Sequence, residues 1–226
     1  MSTSSQSRQQ ILKRIYAATG SEADRPEQAA AAWSALPRGY IRMGSMSAEA
    51  RIERMVERLR EYDAEVTECA PDELPGAIAT QLRASGKRSI VAPAGVPREW
   101  LTTGYDWKID YDLQTEEIER ADGVLTACFC AIADSGTIVL HHSASEGRRV
   151  ITLLPDWHLC VLKASQIVET LPEYFARCQT APALVTTISG PSATADIEMT
   201  RIKGVHGPRF MNVILVRDDG SKTSLN

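Results

Sequence analysis

Ile52-Glu53-Arg54-Met55-Val56-Glu57-Arg58-Leu59-Arg60-Glu61-Tyr62, then Glu65-Val66-Thr67-Glu68-Cys69, then Ser89-Ile90-Val91-Ala92-Pro93 are the stretches that decide the fold class. In the first, Ile52, Met55, Val56, Leu59 and Tyr62 recur at helical spacing while Glu and Arg cover the other faces, which predicts an amphipathic helix over 47–63. The second reads as a strand. Pro71-Asp72-Glu73 then opens a helix that runs to about Ala84 and stops at Ser85-Gly86. The third stretch is a short apolar strand. Residues 97–101 add a helical turn, and Thr115 can cap a helix through Arg120. Helix, strand, helix, strand, helix in that order calls for a parallel sheet with helices on its faces.

Outward from this region the pattern changes. Residues 5–19 read as a short helix with Ile11, Leu12, Ile15 and Tyr16 on one side, and 20–45 show no sustained period and read as a linker arm. After Asp122, residues 123–132 are β-rich, Ala133-Asp134-Ser135-Gly136 turns, and Thr137-Ile138-Val139-Leu140 continues, the pattern of a hairpin. Residues 150–154 and 158–162 read as strands separated by Pro155-Asp156-Trp157. Residues 165–178 read as a helix that Pro172 breaks or kinks, and 182–188 and 211–216 as the last strands. The expected fold is α/β: three layers, a mixed, largely parallel sheet with helices on both faces and an antiparallel hairpin excursion. The expected division is a helix and linker arm over 1–45, an α/β domain over 46–217 and a polar tail over 218–226.

The chain has 226 residues with 25 Lys and Arg against 29 Asp and Glu, a net charge of −4, which argues against a nucleic-acid partner. No apolar run approaches the roughly 20 residues that span a bilayer, and the N-terminus lacks the apolar core of a signal peptide, so a cytoplasmic protein is expected. The five cysteines (Cys69, Cys128, Cys130, Cys160 and Cys178) are scattered and odd in number, which speaks against a disulfide framework. Cys128 and Cys130 would share a face of a strand, where two ligands can converge, but one pair does not hold an iron–sulfur cluster. The histidine spacings do not make a zinc site, and dinucleotide and phosphate-loop fingerprints are missing.

Three groups of residues carry possible chemistry. The first is Ser189-Gly190-Pro191-Ser192-Ala193-Thr194, after an apolar run. Read as a strand that ends in a tight turn and opens a helix, it offers unpaired N–H groups and the positive end of a dipole to a carboxylate or phosphate, with Ser192 or Thr194 as the cap. The bland alternative is a capped helix and nothing more. The second is Asp196, Glu198 and His206, the histidine lying between Gly204 and Gly207-Pro208, where an imidazole can bind an anion or move a proton. The third is Asp134-Ser135-Gly136-Thr137, which is either a plain hairpin turn or part of a site. Arg148 or Arg149 can pair with a substrate carboxylate or stay solvated, and His158 reads as a packing histidine. The resulting site comprises Glu198, Asp134 and His206 as catalytic candidates. Its ligand-binding candidates are Ser135, Gly136, Thr137, Ser189, Gly190, Ser192, Thr194, Asp196, Gly204 and Gly207, and it includes no metal ligand.

Ala133-Asp134-Ser135-Gly136-Thr137-Ile138-Val139-Leu140, Leu154-Pro155-Asp156-Trp157-His158, Ser189-Gly190-Pro191-Ser192-Ala193-Thr194-Ala195-Asp196-Ile197-Glu198 and Gly204-Val205-His206-Gly207-Pro208 together resemble the lactate-utilisation protein C family, the LUD domain. The match runs from about residue 86 to residue 217, and the N-terminal third is similar to the family only in being helical. The resemblance implies a fold similar to the sugar-phosphate isomerase and CoA-transferase superfamily. It also implies a role in oxidising L-lactate to pyruvate beside iron–sulfur proteins of the A and B type, with the clusters in those partners and no cofactor on this chain. Two readings follow. One is a non-redox subunit that binds a small anion such as a 2-hydroxy acid or helps assemble the cluster proteins. The other is a stand-alone isomerase or acyl- or CoA-transferase with Glu198 or Asp134 as base or nucleophile. A scaffold with a relict pocket is the third possibility.

Overall fold

The computed structural model describes residues 3–19, 26–194, 202–203 and 207–218. The chain divides into two units, Met1–Tyr40 and Ile41–Asn226. The first holds α1 (Thr3–Thr19) and α2 (Pro26–Ala35). Helix α2 lies inside the stretch read as linker. Its Ala29-Ala30-Ala31-Ala32 run has the highest helix propensity but no polar-apolar alternation, so periodicity passes over it. Pro26 suits the first helical position. Beyond the helix, the Arg38 guanidinium sits 5.0 Å from the Trp33 ring centroid and donates to the Trp33 carbonyl at 2.9 Å.

The second unit is built on a parallel sheet. Its elements in chain order are α3 (Ala48–Glu61), β1 (Glu65–Cys69), α4 (Leu74–Ser85), β2 (Ser89–Pro93), β3 (Asp106–Asp110), α5 (Thr115–Glu119), β4 (Gly123–Thr126), β5 (Cys130–Ile132), β6 (Thr137–Leu140), β7 (Trp157–Lys163), β8 (Ile167–Val168), α6 (Leu171–Arg177), β9 (Thr186–Ile188), β10 (Ala193–Thr194), β11 (Ile202–Lys203) and β12 (Phe210–Val216). Six strands pair in the order β1-β12-β7-β4-β2-β3, all parallel. The hairpin β5–β6 belongs to a separate four-stranded sheet, β8-β5-β6-β9.

Period-two alternation divides the core. Along β7, Trp157, Leu159 and Val161 pack with Leu74, Ile78 and Leu82 of α4 on one face. Cys160 and Leu162 point the other way, to Ile52, Met55 and Leu59 of α3 and to Ile138 and Leu140 of the second sheet. The far face of that second sheet buries Cys130, Val139 and Val168 against Tyr174 of α6. Ser47 caps α3, its hydroxyl accepting from the Ala50 amide at 3.2 Å.

Several local expectations are corrected. The local pattern does not show β3, because Asp106-Trp107-Lys108-Ile109-Asp110 carries three charges in five residues; it is an edge strand, where charge is tolerated. The stretch 150–154 is not a strand: Arg149–Thr152 is a 3-10 turn. Pro172 does not kink a long helix. It lies in the first turn of α6, and the residues before it form a 3-10 turn and β8.

Candidate active site

A cavity of about 310 Å³ lies on the α3 side of the large sheet, bounded by β9, the following loop and the starts of β7 and β12. Its wall includes Arg149, His158, Thr186, Ser189, Gly190 and Ser192. That volume sits at the lower end of the range for small-molecule pockets, about 300–1,000 Å³.

Two of the motifs meet beside this cavity. The Thr137 hydroxyl is 2.9 Å from the Ser189 hydroxyl and the Ser135 hydroxyl is 2.8 Å from Thr137, a chain of three hydroxyls that joins the hairpin turn to the cavity wall. The glycines have a mechanical task. Gly136, at φ +62°, would place a Cβ 2.6 Å from Cβ of Arg58; Gly190, at φ +79°, would place one 2.5 Å from Cβ of Tyr62. Arg58 and Tyr62 are one turn apart, so both glycines let their loops close onto the end of α3. Gly207 backs onto Ser192, and the Ser192 amide donates to the Pro208 carbonyl at 2.8 Å. Gly207 and Pro208 therefore join the 189–194 loop at the cavity.

The helix expected to open after Ser189 is absent at its start. Ala193–Thr194 is strand β10, paired antiparallel with β11 through Ala193↔Lys203 and Thr194↔Ile202. No helix dipole therefore stands at residues 189–194, and the Ser192 amide is already engaged by the Pro208 carbonyl. Asp196, Glu198, Gly204 and His206 lie outside the described residues. Asp134 is exposed and is not among the cavity-lining residues; its amide donates to the Glu169 carbonyl at 3.1 Å.

The adjacent arginines have separate tasks. Arg148 is held by Asp110, with Nε to Oδ2 at 2.9 Å and Nη2 to Oδ1 at 2.6 Å, and by Asp112 at 3.2 Å. Burial pushes the Asp110 carboxyl up, but Arg148 and the Leu113 amide outweigh it and the net shift is downward. Arg149 lines the cavity, and among the described residues it has no ion-pair partner.

His158 is the cavity residue that the sequence reading assigned to packing. It is 1% exposed, and its Nε2 lies 2.8 Å from the Thr126 hydroxyl. Burial lowers its pKa to about 4, so the ring is neutral near pH 7. Spacing alone does not reveal this role; the signal is a histidine among Leu159, Cys160, Val161 and Leu162 on a strand buried on both faces. His142 supports the wall from behind. It adopts φ +58°, donates from Nδ1 to the Gly147 carbonyl at 2.8 Å, and places Nε2 2.8 Å from the Thr186 hydroxyl. His141 stacks on Phe129 with ring centroids 3.8 Å apart.

In open parallel sheets the ligand crevice usually lies at the carboxyl ends of strands whose connections diverge. Here those strands are β2 and β4, and the 143–147 loop covers both ends. The Gly95 amide donates to the Ala144 carbonyl at 2.9 Å and the Ala127 amide to the Ser145 carbonyl at 3.0 Å. Cys128 and Cys130 do not converge either: residues 127–129 are not strand, and the two thiols enter different apolar clusters. Among the described residues no three His, Cys, Asp or Glu side chains are placed to hold a metal, and no helix is long and apolar enough to cross a membrane.

Comparison with known proteins follows the same lines. Lactate utilization protein C of Deinococcus radiodurans is 45% identical over 164 residues, 71% of this chain and 76% of the relative. Its Bacillus subtilis namesake is 27% identical, over 94% of this chain and 97% of the relative. The crystal structure of a DUF162 family protein from Deinococcus radiodurans superposes with a TM-score of 0.63 at 37% identity, covering 76% of this chain and 99% of that one. The family model for the LUD domain matches residues 52–216, most of the chain, and the protein belongs to the LUD domain family.

Proposed function

We propose that this chain is a cytoplasmic, non-redox subunit that supports oxidation of L-lactate to pyruvate together with iron–sulfur partner proteins of the A and B type. Its cavity takes a small carboxylate. The observation that carries the reading is Arg149, the one charged side chain among the described residues of a cavity wall that also presents hydroxyls, glycines, a neutral imidazole and apolar groups such as Leu153 and Met211, in a chain whose relatives are named for lactate utilisation. In this reading the two electrons and two protons released from L-lactate leave through the partners, whose clusters accept the electrons, and this chain binds no cofactor of its own.

The test is genetic. A bacterium deleted for its own C-type protein, with the A and B proteins intact, should regain growth on L-lactate when this chain is expressed. The Arg149→Gln variant should restore growth poorly. A well-expressed wild-type chain that restores no growth overturns the reading.

A further inference from the structure

We infer that His158 recognises the uncharged oxygen of the ligand: the cavity takes a 2-hydroxy or 2-oxo carboxylate, with the carboxylate on Arg149 and the second oxygen hydrogen-bonded to the His158 ring. This rests on the reading of the cavity as a small-carboxylate site and adds to it which acids enter.

The argument starts from the strand. On the α3 face of β7, His158 precedes Cys160 and Leu162, and its register partner on β12 is Met211. A polar ring in that apolar row is costly unless both nitrogens find partners. Nε2 has Thr126, itself fully buried. Among the described residues Nδ1 has no hydrogen-bond partner. Among the described residues four side-chain polar atoms are sealed from solvent without a partner: Arg51 Nε, Arg58 Nε, Thr102 Oγ1 and Thr170 Oγ1. His158 Nδ1 is not one of them, and the residue lines the cavity, so this nitrogen keeps access to it. With Nε2 fixed on Thr126 the ring is held in place, and Nδ1 is the nitrogen left to meet a ligand.

The protonation state fits. A neutral imidazole has one donor and one acceptor nitrogen, and the Thr126 hydroxyl can take either complementary role. Nδ1 can therefore accept from a hydroxyl or donate to a ketone, whereas a cation could only donate. The charge on the ligand is left to Arg149, which matches a carboxylate in planar, two-pronged fashion. An acid lacking the second oxygen, such as propionate, would leave the buried nitrogen unpaired.

Calorimetric titration of the full chain with L-lactate, pyruvate, propionate and inorganic phosphate tests this. L-lactate and pyruvate should each bind about tenfold more tightly than propionate, the worth of one buried hydrogen bond. In His158→Leu the preference should collapse toward unity. Because the chain has four histidines, the ring resonances of His158 can also be followed in the unmodified protein, which decides the matter if the variant does not fold. They should move with L-lactate and stay put with propionate. Equal affinity for L-lactate and propionate, unmoved His158 resonances, or phosphate binding as tightly as L-lactate each overturns the inference. A chain that restores growth on L-lactate yet binds none of these acids removes the inference and leaves the subunit reading intact.

Discussion

Thr137 and Ser189, 52 positions apart in the chain, share a hydrogen bond of 2.9 Å between their hydroxyl oxygens. Thr137 starts β6 and Ser189 follows β9, and these strands pair antiparallel through Ile138↔Ile188, Val139↔Thr187 and Leu140↔Thr186. That register carries the hairpin motif to the cavity wall and places Thr186, Thr187 and Ile188 in it. Ala substitution at Thr137 removes the central link of the hydroxyl chain. The expected cost is about 1 kcal/mol in urea denaturation.

Arg148 and Arg149 should respond differently to removal. Arg149→Gln should weaken binding of a small carboxylate by roughly ten- to a hundredfold, the worth of a hydrogen bond to a charged group, with the melting temperature nearly unchanged. Arg148→Gln strips the ion pair from Asp110, whose side chain is 2% exposed, and should cost about 1–3 kcal/mol of stability while leaving affinity close to wild type. Calorimetry and urea melts on the two variants separate these outcomes.

Gly136→Ala and Gly190→Ala should each destabilise by about 2 kcal/mol or more. Each forces an L side chain into the left-handed region and drives its Cβ into the backbone or Cβ of α3. Thermal unfolding measures both. Gly190→Ala should also reshape the cavity and lower ligand affinity, since Gly190 is part of its wall.

His158 predicts an acid-side loss of stability. Its ordinary pKa of 6.5 applies in the unfolded chain, and burial lowers the folded value to about 4. Between those two values the unfolded chain binds more protons than the folded one, so stability falls as pH drops from 6.5 toward 4, by about 3 kcal/mol from this residue. Burial also lowers His141, which acts in the same direction. Urea melts from pH 7 to pH 4 should show the loss, and His158→Leu should flatten it.

Four of the five thiols should be unreactive in the native protein. Burial pushes Cys69 up to about 11 and Cys130 up to about 12; a hydrogen bond with Cys160 and burial raise Cys128 well above the ordinary value. Cys160 is buried and Cys178 is partly exposed. In native protein at pH 7.5, Ellman's reagent should titrate one fast thiol, Cys178, and all five after denaturation.

Glu169 and Glu173 hold the chain that leads into α3. Glu173 Oε1 accepts from the Gly44 amide at 2.8 Å, and Glu169 Oε2 accepts from the Met46 amide at 2.6 Å. Burial raises the Glu173 carboxyl, but hydrogen bonds from the Gly44, Thr170 and Glu169 amides outweigh it and the net shift is downward. Glu173→Gln should speed amide exchange at Gly44 and leave the core amides of β7 unchanged.

Much of the architecture is written in local patterns. The spacing of Ile52, Met55, Val56 and Leu59 specified α3, and the apolar run around Val91 specified a buried parallel strand, because periods of 3.6 and 2 record which face meets the core. Helix α2 and strand β3 escaped such reading, one for want of polar contrast and the other because an edge strand tolerates charge.

The site divides the same way. Sequence alone marked Ser189, Gly190 and Ser192, because a glycine between small hydroxyls after an apolar run signals a chain that passes close to something. It also marked the Asp134-Ser135-Gly136-Thr137 turn. It did not show that Gly136 and Gly190 serve contact with α3, nor that Thr194 enters a strand pair, since both depend on segments far away in the chain.

The sequence by itself determined α3, β1, α4 and β2 and the parallel α/β architecture they belong to, because those follow from short-range period and turn chemistry. Only the tertiary structure decided that Arg149 and not Arg148 borders the cavity, and that His158 lines it. Those assignments turn on strand register and on Asp110 reaching Arg148 from β3, 38 positions away, and no local pattern encodes them.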